Sequence, residues 1–231
     1  MSLSNLLKLA ALGTSLTAAG ASTAATPAHP HPTIRVMSGA TSLESLDPTT
    51  TALVVVDFQN EYFTGKMPIP DGKKAMENAR RLIRFADEAK IPVFAVQHIA
   101  PAGSALFAID GETVKFHPDM TPRAQDTVLQ KKTVSVFAST DLEHRLKAAK
   151  IETIVVAGLM THACVAGAAR DAVPAGFHVV VASDASATRS ITRTDGTTVD
   201  EKTLHRAALA EIEDTFGDVL TTSQILELPL R

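Results

Sequence analysis

From Thr51 onward, short apolar runs rich in β-branched residues alternate with longer segments of helical periodicity. This alternation is typical of a parallel sheet whose strands are connected by helices packed on its faces. Residues 52–56 form a continuous apolar run, as expected of a strand that is buried on both faces. The pattern therefore predicts a three-layer α/β/α sandwich with a mostly parallel sheet of five or six strands.

The other predicted elements follow the same alternation. Further strands are predicted at 92–97, around Val128 and Leu129, and at 154–157, 178–182 and 219–220. Helices are predicted at 75–86, from Asp141 onward, at 164–172 and at 204–216. Thr140 with Glu143 has the spacing of a capping box for the second of these helices. Residues 99–123 show no period and are predicted to be a long loop that shapes a binding site.

The length and the charge of the chain limit the possible functions. With 231 residues, of which 45% are hydrophobic, the chain supports one sizeable core, which we assign to residues 49–231. The formal net charge is -3, and no run of Lys or Arg stands out. Nucleic acid and an anionic membrane surface are therefore not expected as partners.

The first 40 residues differ in composition from the rest. Lys8 precedes the apolar residues 9–12, and a small-residue triplet occupies 19–21, so residues 1–25 resemble a signal peptide. The alternative is a disordered tail. Residues 26–48, with three prolines in the first part, are predicted to be a linker. Export to the periplasm or the medium, without a membrane anchor in the mature chain, is expected if the signal is real; otherwise the protein is cytoplasmic.

Three chemically versatile side chains follow predicted strands. Asp57 ends the first strand, Lys131 lies after the third, and Cys164 lies just beyond the fourth. Ligands of open α/β sheets bind beyond the carboxyl ends of the strands. The sequence therefore predicts that these three residues meet at one edge of the sheet.

Cys164 is the only cysteine of the chain and admits two interpretations. A free cysteine is often an inert, buried hydrophobic residue. However, the turn at 158–163 places Cys164 at a predicted helix start, where the helix dipole favours a thiolate and free amides can hold an oxyanion. Rapid alkylation by iodoacetamide at pH 7 would indicate the reactive thiol, and slow alkylation a buried spectator.

Three segments carry a family resemblance. They are residues 57–63 (Asp-Phe-Gln-Asn-Glu-Tyr-Phe), residues 131–137 (Lys-Lys-Thr-Val-Ser-Val-Phe) followed by Thr-Asp-Leu at 140–142, and residues 158–165 (Gly-Leu-Met-Thr-His-Ala-Cys-Val) continuing to 172. In their order and separation they resemble the motifs of isochorismatase-like cysteine hydrolases. The resemblance extends from Thr51 to the C-terminus and implies the Rossmann-like topology of that superfamily.

The resemblance implies a role for each residue of the predicted site. Cys164 would attack a carbonyl carbon, Asp57 would take the thiol proton and pass it to the leaving amine, and Lys131 would stabilise the thiolate. The backbone amides of Met160 and Cys164 would form the oxyanion hole, and the peptide bond before Met160 would be cis. Lys131 is preferred to Lys132 because it keeps the family spacing to the next motif position.

The resemblance also bears on the substrate pocket and on cofactors. Gln59, Tyr62 and His162 are expected to line the pocket. Nicotinamidases of the superfamily carry an Asp-x-His metal motif after the second strand, where this chain has Gln97 and His98. We therefore expect no metal and no other cofactor.

The function favoured by the resemblance is hydrolysis of a small amide, ureide or related carbon–nitrogen acyl compound through a thioester. Members that hydrolyse the vinyl ether of isochorismate typically lack the cysteine, so its presence here favours amides. The first alternative is an isochorismate-type vinyl ether hydrolase in which Cys164 is incidental. A catalytically idle binding module of the same fold is the second. The partner is expected to be a small molecule, and a homo-oligomer is expected by analogy with the family.

Overall fold

The central sheet contains six strands, and all its neighbouring strands are parallel. The computed structural model describes residues 31–231, so the predicted signal peptide lies outside the described residues. The strands are β1 (Thr51–Val56), β2 (Val93–His98), β3 (Thr127–Lys131), β4 (Thr153–Leu159), β5 (His178–Ala187), the hairpin strands β6 (Ile191–Thr192) and β7 (Thr198–Val199), and β8 (Asp218–Leu220). The order in the large sheet is β3-β2-β1-β4-β5-β8.

Helices cover both faces of the sheet. They are α1 (Ile34–Met37), α2 (Gly72–Ala89), α3 (Leu142–Ala148), α4 (Ala166–Ala172), α5 (Glu201–Thr215) and α6 (Thr222–Glu227). Alternate side chains of β1 enter two separate clusters: Leu53 and Val55 join the cluster of α2 and α6, whereas Val54 and Val56 join that of α3, α4 and α5. The predicted three-layer α/β/α sandwich is therefore confirmed. No helix among residues 31–231 is long and apolar enough to cross a bilayer.

The starts of two helices differ from the predictions. Helix α3 begins at Leu142 after Asp141, and the capping box is wrong: the Thr140 hydroxyl accepts from the Leu142 amide at 3.2 Å, while Glu143 pairs with Lys147 one turn later. Helix α5 begins at Glu201 rather than at 204 because the Asp200 side chain caps it by accepting from the Thr203 amide at 2.9 Å.

The helix predicted from Cys164 also begins later. Residues Thr161–Val165 form a π-helical turn, and α4 begins only at Ala166. The Val165 amide donates to the Met160 carbonyl at 3.2 Å, which closes this wider turn. Cys164 therefore lies inside the turn that connects β4 to α4.

Residues 31–48, the described part of the predicted linker, include helix α1. Arg35 of this helix forms an ion pair with Asp218 at 3.0 Å. Leu46 is buried and is bridged to Leu230 near the C-terminus. These contacts attach the segment to the sheet domain at β8 and at the end of the chain.

Candidate active site

The ends of three strands bring Asp57, Lys131 and Cys164 together. The Lys131 Nζ atom lies 2.8 Å from Asp57 Oδ2 and 3.3 Å from Cys164 Sγ. All three residues are buried, whereas Lys132 is exposed. Of the two lysines that the sequence offered, the structure thus brings Lys131 to this cluster.

The backbone fixes Asp57 at the sheet edge. Asp57 has a φ of 55°, a left-handed conformation that Asp tolerates better than most residues, and its amide donates to the Val96 carbonyl at 2.9 Å. On the neighbouring strand, a Cβ atom at Gly158 would lie 2.3 Å from the Val56 carbonyl oxygen. Only glycine therefore permits β4 to approach β1 this closely beside Asp57.

The turn after β4 presents Cys164 to the lysine. The Leu159–Met160 peptide bond is cis, as the resemblance implied. The Met160 carbonyl accepts from the amides of both Ala163 and Val165 and so holds the π-helical turn. The thiol of Cys164 and the backbone amides of Met160 and Cys164 consequently belong to the same short segment.

Lys131 has four close neighbours. Besides Asp57 Oδ2 and Cys164 Sγ, its Nζ atom lies 2.8 Å from His98 Nδ1 and 3.2 Å from the Thr133 carbonyl oxygen. A buried ammonium is costly unless it is paired and hydrogen-bonded. The carboxylate and the three other neighbours meet that requirement.

Burial controls the protonation of the cluster. Burial raises the pKa of Cys164, the Asp57 charge adds to this effect, and Lys131 opposes both, so that the pKa lies at about 12. Burial also raises the pKa of Asp57, against the lowering effect of Lys131. These effects favour the protonated thiol at neutral pH, and the ionised sulfur expected from the sequence stays a prediction. A reaction at this sulfur would need a base to remove the proton.

The three predicted pocket residues occupy different environments. Tyr62 is buried edge-on against Phe107, with ring centroids 5.4 Å apart. Burial raises the pKa of Tyr62, and the negative charge of Asp57 adds to this effect. His162 is half-buried, with Nδ1 at 2.6 Å from the Thr188 hydroxyl.

Gln59 forms a buried bridge between backbone segments. Its amide nitrogen donates to the carbonyl oxygens of His98 and Val114 at 2.8 and 2.6 Å, and its amide oxygen accepts from the His98 amide at 2.8 Å. The side chain is fully buried. Gln59 therefore links the end of β1 to the end of β2 and to the long loop, and its expected contact with a substrate stays a prediction.

Three residues near the site were missed by sequence reasoning. His98 contacts Lys131, and Phe107 of the long loop packs against both Tyr62 and His98. Arg189 follows β5, and its positive charge influences the pKa values of Tyr62 and His162. Ligands of such sheets bind beyond the carboxyl ends of the strands, and this strand-end rule could have found Arg189. However, β5 was predicted to end at 182, whereas it extends to Ala187.

No group of three or more His, Cys, Asp or Glu residues within 31–231 is arranged to hold a metal ion. At the end of β2, His98 contacts the Lys131 ammonium. The expectation that the site works without metal or other cofactor stays a prediction.

The chain resembles known proteins in sequence and in fold. The family model of the isochorismatase domain matches residues 51–224, which include all three sequence motifs. The chain belongs to the isochorismatase family. The isochorismatase-family hydrolase is 32% identical to the secreted isochorismatase effector Isc1 of Verticillium dahliae over 82% of this chain and 100% of that protein.

Two further comparisons extend the likeness. The crystal structure of an isochorismatase from Pseudomonas putida superposes with a TM-score of 0.79 at 26% identity, over 84% of this chain and 99% of that one. The maleamate amidohydrolase of Pseudomonas putida is 27% identical over 76% of this chain and 85% of its own length. The fold and the family expected from the sequence are thereby confirmed.

Proposed function

We propose that this isochorismatase-family hydrolase cleaves the carbon–nitrogen bond of a small amide or ureide through a thioester on Cys164. The observation that carries the proposal is the buried cluster in which Lys131 Nζ lies 2.8 Å from Asp57 Oδ2 and 3.3 Å from Cys164 Sγ. A nucleophile, a base and a cation in contact are the components of covalent acyl transfer. Family members that hydrolyse a vinyl ether typically lack this cysteine, which favours an amide or ureide.

The first half of the reaction forms the thioester. As Cys164 Sγ bonds to the carbonyl carbon, the thiol proton moves to the Asp57 carboxylate, whose burial makes it a stronger base than an exposed one. Lys131 stabilises the negative charge on sulfur, and the amides of Met160 and Cys164 donate to the oxyanion. Asp57 then gives the proton to the leaving nitrogen, and the carbon–nitrogen bond breaks.

The second half regenerates the thiol. A water molecule attacks the thioester while Asp57 takes one of its protons, and the carbon–sulfur bond breaks as that proton returns to Cys164. The products are a carboxylic acid and an amine or ammonia. Asp57 thus acts as base and acid in turn, which explains why a carboxylate with a raised pKa suits this position.

The thioester is tested by mass spectrometry after rapid acid quenching. Small amides and ureides are mixed with the enzyme, and a true substrate should add its acyl mass to the peptide that contains Cys164. Because Cys164 is the only cysteine, complete alkylation by iodoacetamide should abolish turnover. Turnover that survives full alkylation would reject the proposal.

A carboxylate on the substrate is the refinement that Arg189 supports. The Arg189 Nη1 atom donates to the Ser190 carbonyl at 3.0 Å, but its buried Nε has no hydrogen-bond partner within residues 31–231. An unsatisfied buried donor costs roughly 1–3 kcal/mol, and a guanidinium is well suited to bind a carboxylate. Maleamate, after which the amidohydrolase relative from Pseudomonas putida is named, carries a carboxylate as well as an amide.

Replacement of Arg189 should separate charged from neutral substrates. With Arg189→Met we expect KM for maleamate to rise about 10- to 100-fold with little change in kcat, since a charge-assisted hydrogen bond is lost. The methyl ester of maleamate should show no such rise. Arg193→Met is the matched control, because Arg193 is exposed and pairs with Asp195 in the neighbouring hairpin. An equal loss on both substrates would contradict the assignment of Arg189.

A further inference from the structure

His98 is a fourth side chain in contact with the candidate active site. It pairs with Lys131 in the register of β2 and β3, and its Nδ1 atom lies 2.8 Å from Lys131 Nζ. An ammonium can only donate hydrogen bonds, so Nδ1 must accept, and the imidazole proton must sit on Nε2. One tautomer of His98 is thus fixed by its neighbour.

The surroundings hold His98 rigidly in this role. Gln59 binds both the amide and the carbonyl oxygen of His98, each at 2.8 Å. The imidazole packs on Phe107 with ring centroids 4.9 Å apart. Burial and the Lys131 charge lower the pKa of His98 to about 4, so the ring remains a neutral acceptor at physiological pH.

The acceptors around Lys131 outnumber its donors. Three N–H groups face Asp57 Oδ2, His98 Nδ1, the Thr133 carbonyl and Cys164 Sγ. The carboxylate attracts the ammonium most strongly, and without other anchors it would draw Nζ towards itself. The hydrogen bond to His98 on β2 restrains Lys131 Nζ and keeps one of its N–H groups within reach of Cys164 Sγ.

We propose that His98 is a positioning residue, which holds the Lys131 ammonium within reach of Cys164 so that the thiolate is stabilised as it forms. The inference rests on the proposed function for its catalytic meaning, but the contact itself can be tested without substrate. It assigns a role to the Gln59 bridge as well, since that bridge fixes the backbone of His98.

The first measurement is the tautomer of His98 by ¹⁵N NMR on the wild-type protein. The Nδ1 resonance is expected at the position of a fully unprotonated nitrogen at pH 7, and Lys131→Met should shift it towards the tautomer mixture of a free neutral imidazole. A protonated Nδ1 in the wild type would overturn the proposal, whatever the variants do.

The second measurement is the rate at which iodoacetamide alkylates Cys164 at pH 9. His98→Leu should lower the rate about tenfold, because a loosened Lys131 stabilises the thiolate less and each unit of rise in pKa removes about tenfold of thiolate. His98→Asn, whose amide oxygen can replace Nδ1, should stay near the wild-type rate. The control is His178→Leu, an exposed residue at the opposite end of the sheet. A wild-type or faster rate in His98→Leu would overturn the proposal.

Hydrolysis supplies the third measurement. His98→Leu should lower kcat about 10- to 100-fold with little change in KM, the pattern of a misplaced catalytic group, and His98→Asn should restore most of it. An unchanged kcat in folded His98→Leu would overturn the positioning role. Failure of the proposed function looks different: hydrolysis would then survive alkylation of Cys164, while the tautomer and the alkylation rates would still report the His98–Lys131 contact.

Discussion

Cys164→Ala is expected to lower kcat/KM by at least about 10⁴-fold, because the remaining groups can polarise a carbonyl but cannot form the thioester. The fold should survive, since alanine replaces a small buried side chain on the turn before α4. Activity is measured with the substrate found in the adduct screen, and folding by circular dichroism and thermal unfolding.

The control for this experiment is a truncation of similar size in the same apolar cluster. Val181→Ala shortens a fully buried side chain of β5 and should cost about 1–3 kcal/mol of stability while leaving kcat within a few-fold of the wild type. Wild-type-like hydrolysis by Cys164→Ala would reject the thioester. It would direct attention to an isochorismate-type reaction, in which the cysteine takes no part.

The fold could be predicted from sequence because its central strands β1 and β4 appear as apolar runs. A strand such as β1, buried on both faces, needs apolar residues at every position, and residues 52–56 satisfy this. The edges of elements were harder to predict. At β5, polar residues Ser183, Asp184 and Ser186 interrupt the apolar run, so the strand appeared to end at 182, although backbone pairing continues to Ala187.

The residues of the cluster could be predicted, but its electrostatics could not. The strand-end rule and the motifs selected Asp57, Lys131 and Cys164, which the structure places in contact through Lys131. The protonation of the thiol depends on burial, which a sequence position does not reveal. His98 was missed as a neighbour of Lys131, because its contact arises from the pairing of two strands whose register no local pattern specifies.

Lys131→Met is expected to destabilise the folded protein by about 3–5 kcal/mol, because it leaves the fully buried Asp57 carboxylate without its cation. The loss should depend on pH. Burial already raises the pKa of Asp57 in the folded state, and removal of the lysine raises it further. A carboxyl group whose folded pKa lies above its unfolded value favours the folded state at acidic pH, and this stability is lost as pH rises through the folded pKa.

Urea unfolding at pH 5 and at pH 8 tests this prediction against a neighbouring lysine. Lys131→Met should differ from the wild type more at pH 8 than at pH 5, whereas Lys132→Met, at an exposed position, should stay within about 0.5 kcal/mol at both. Adding Asp57→Asn to Lys131→Met removes the unpaired carboxylate and should recover much of the lost stability, so the two effects should not be additive. Additive losses of unfolding free energy, or a pH-independent loss in Lys131→Met, would show that the ion pair between Asp57 and Lys131 does not stabilise the buried Asp57 carboxylate.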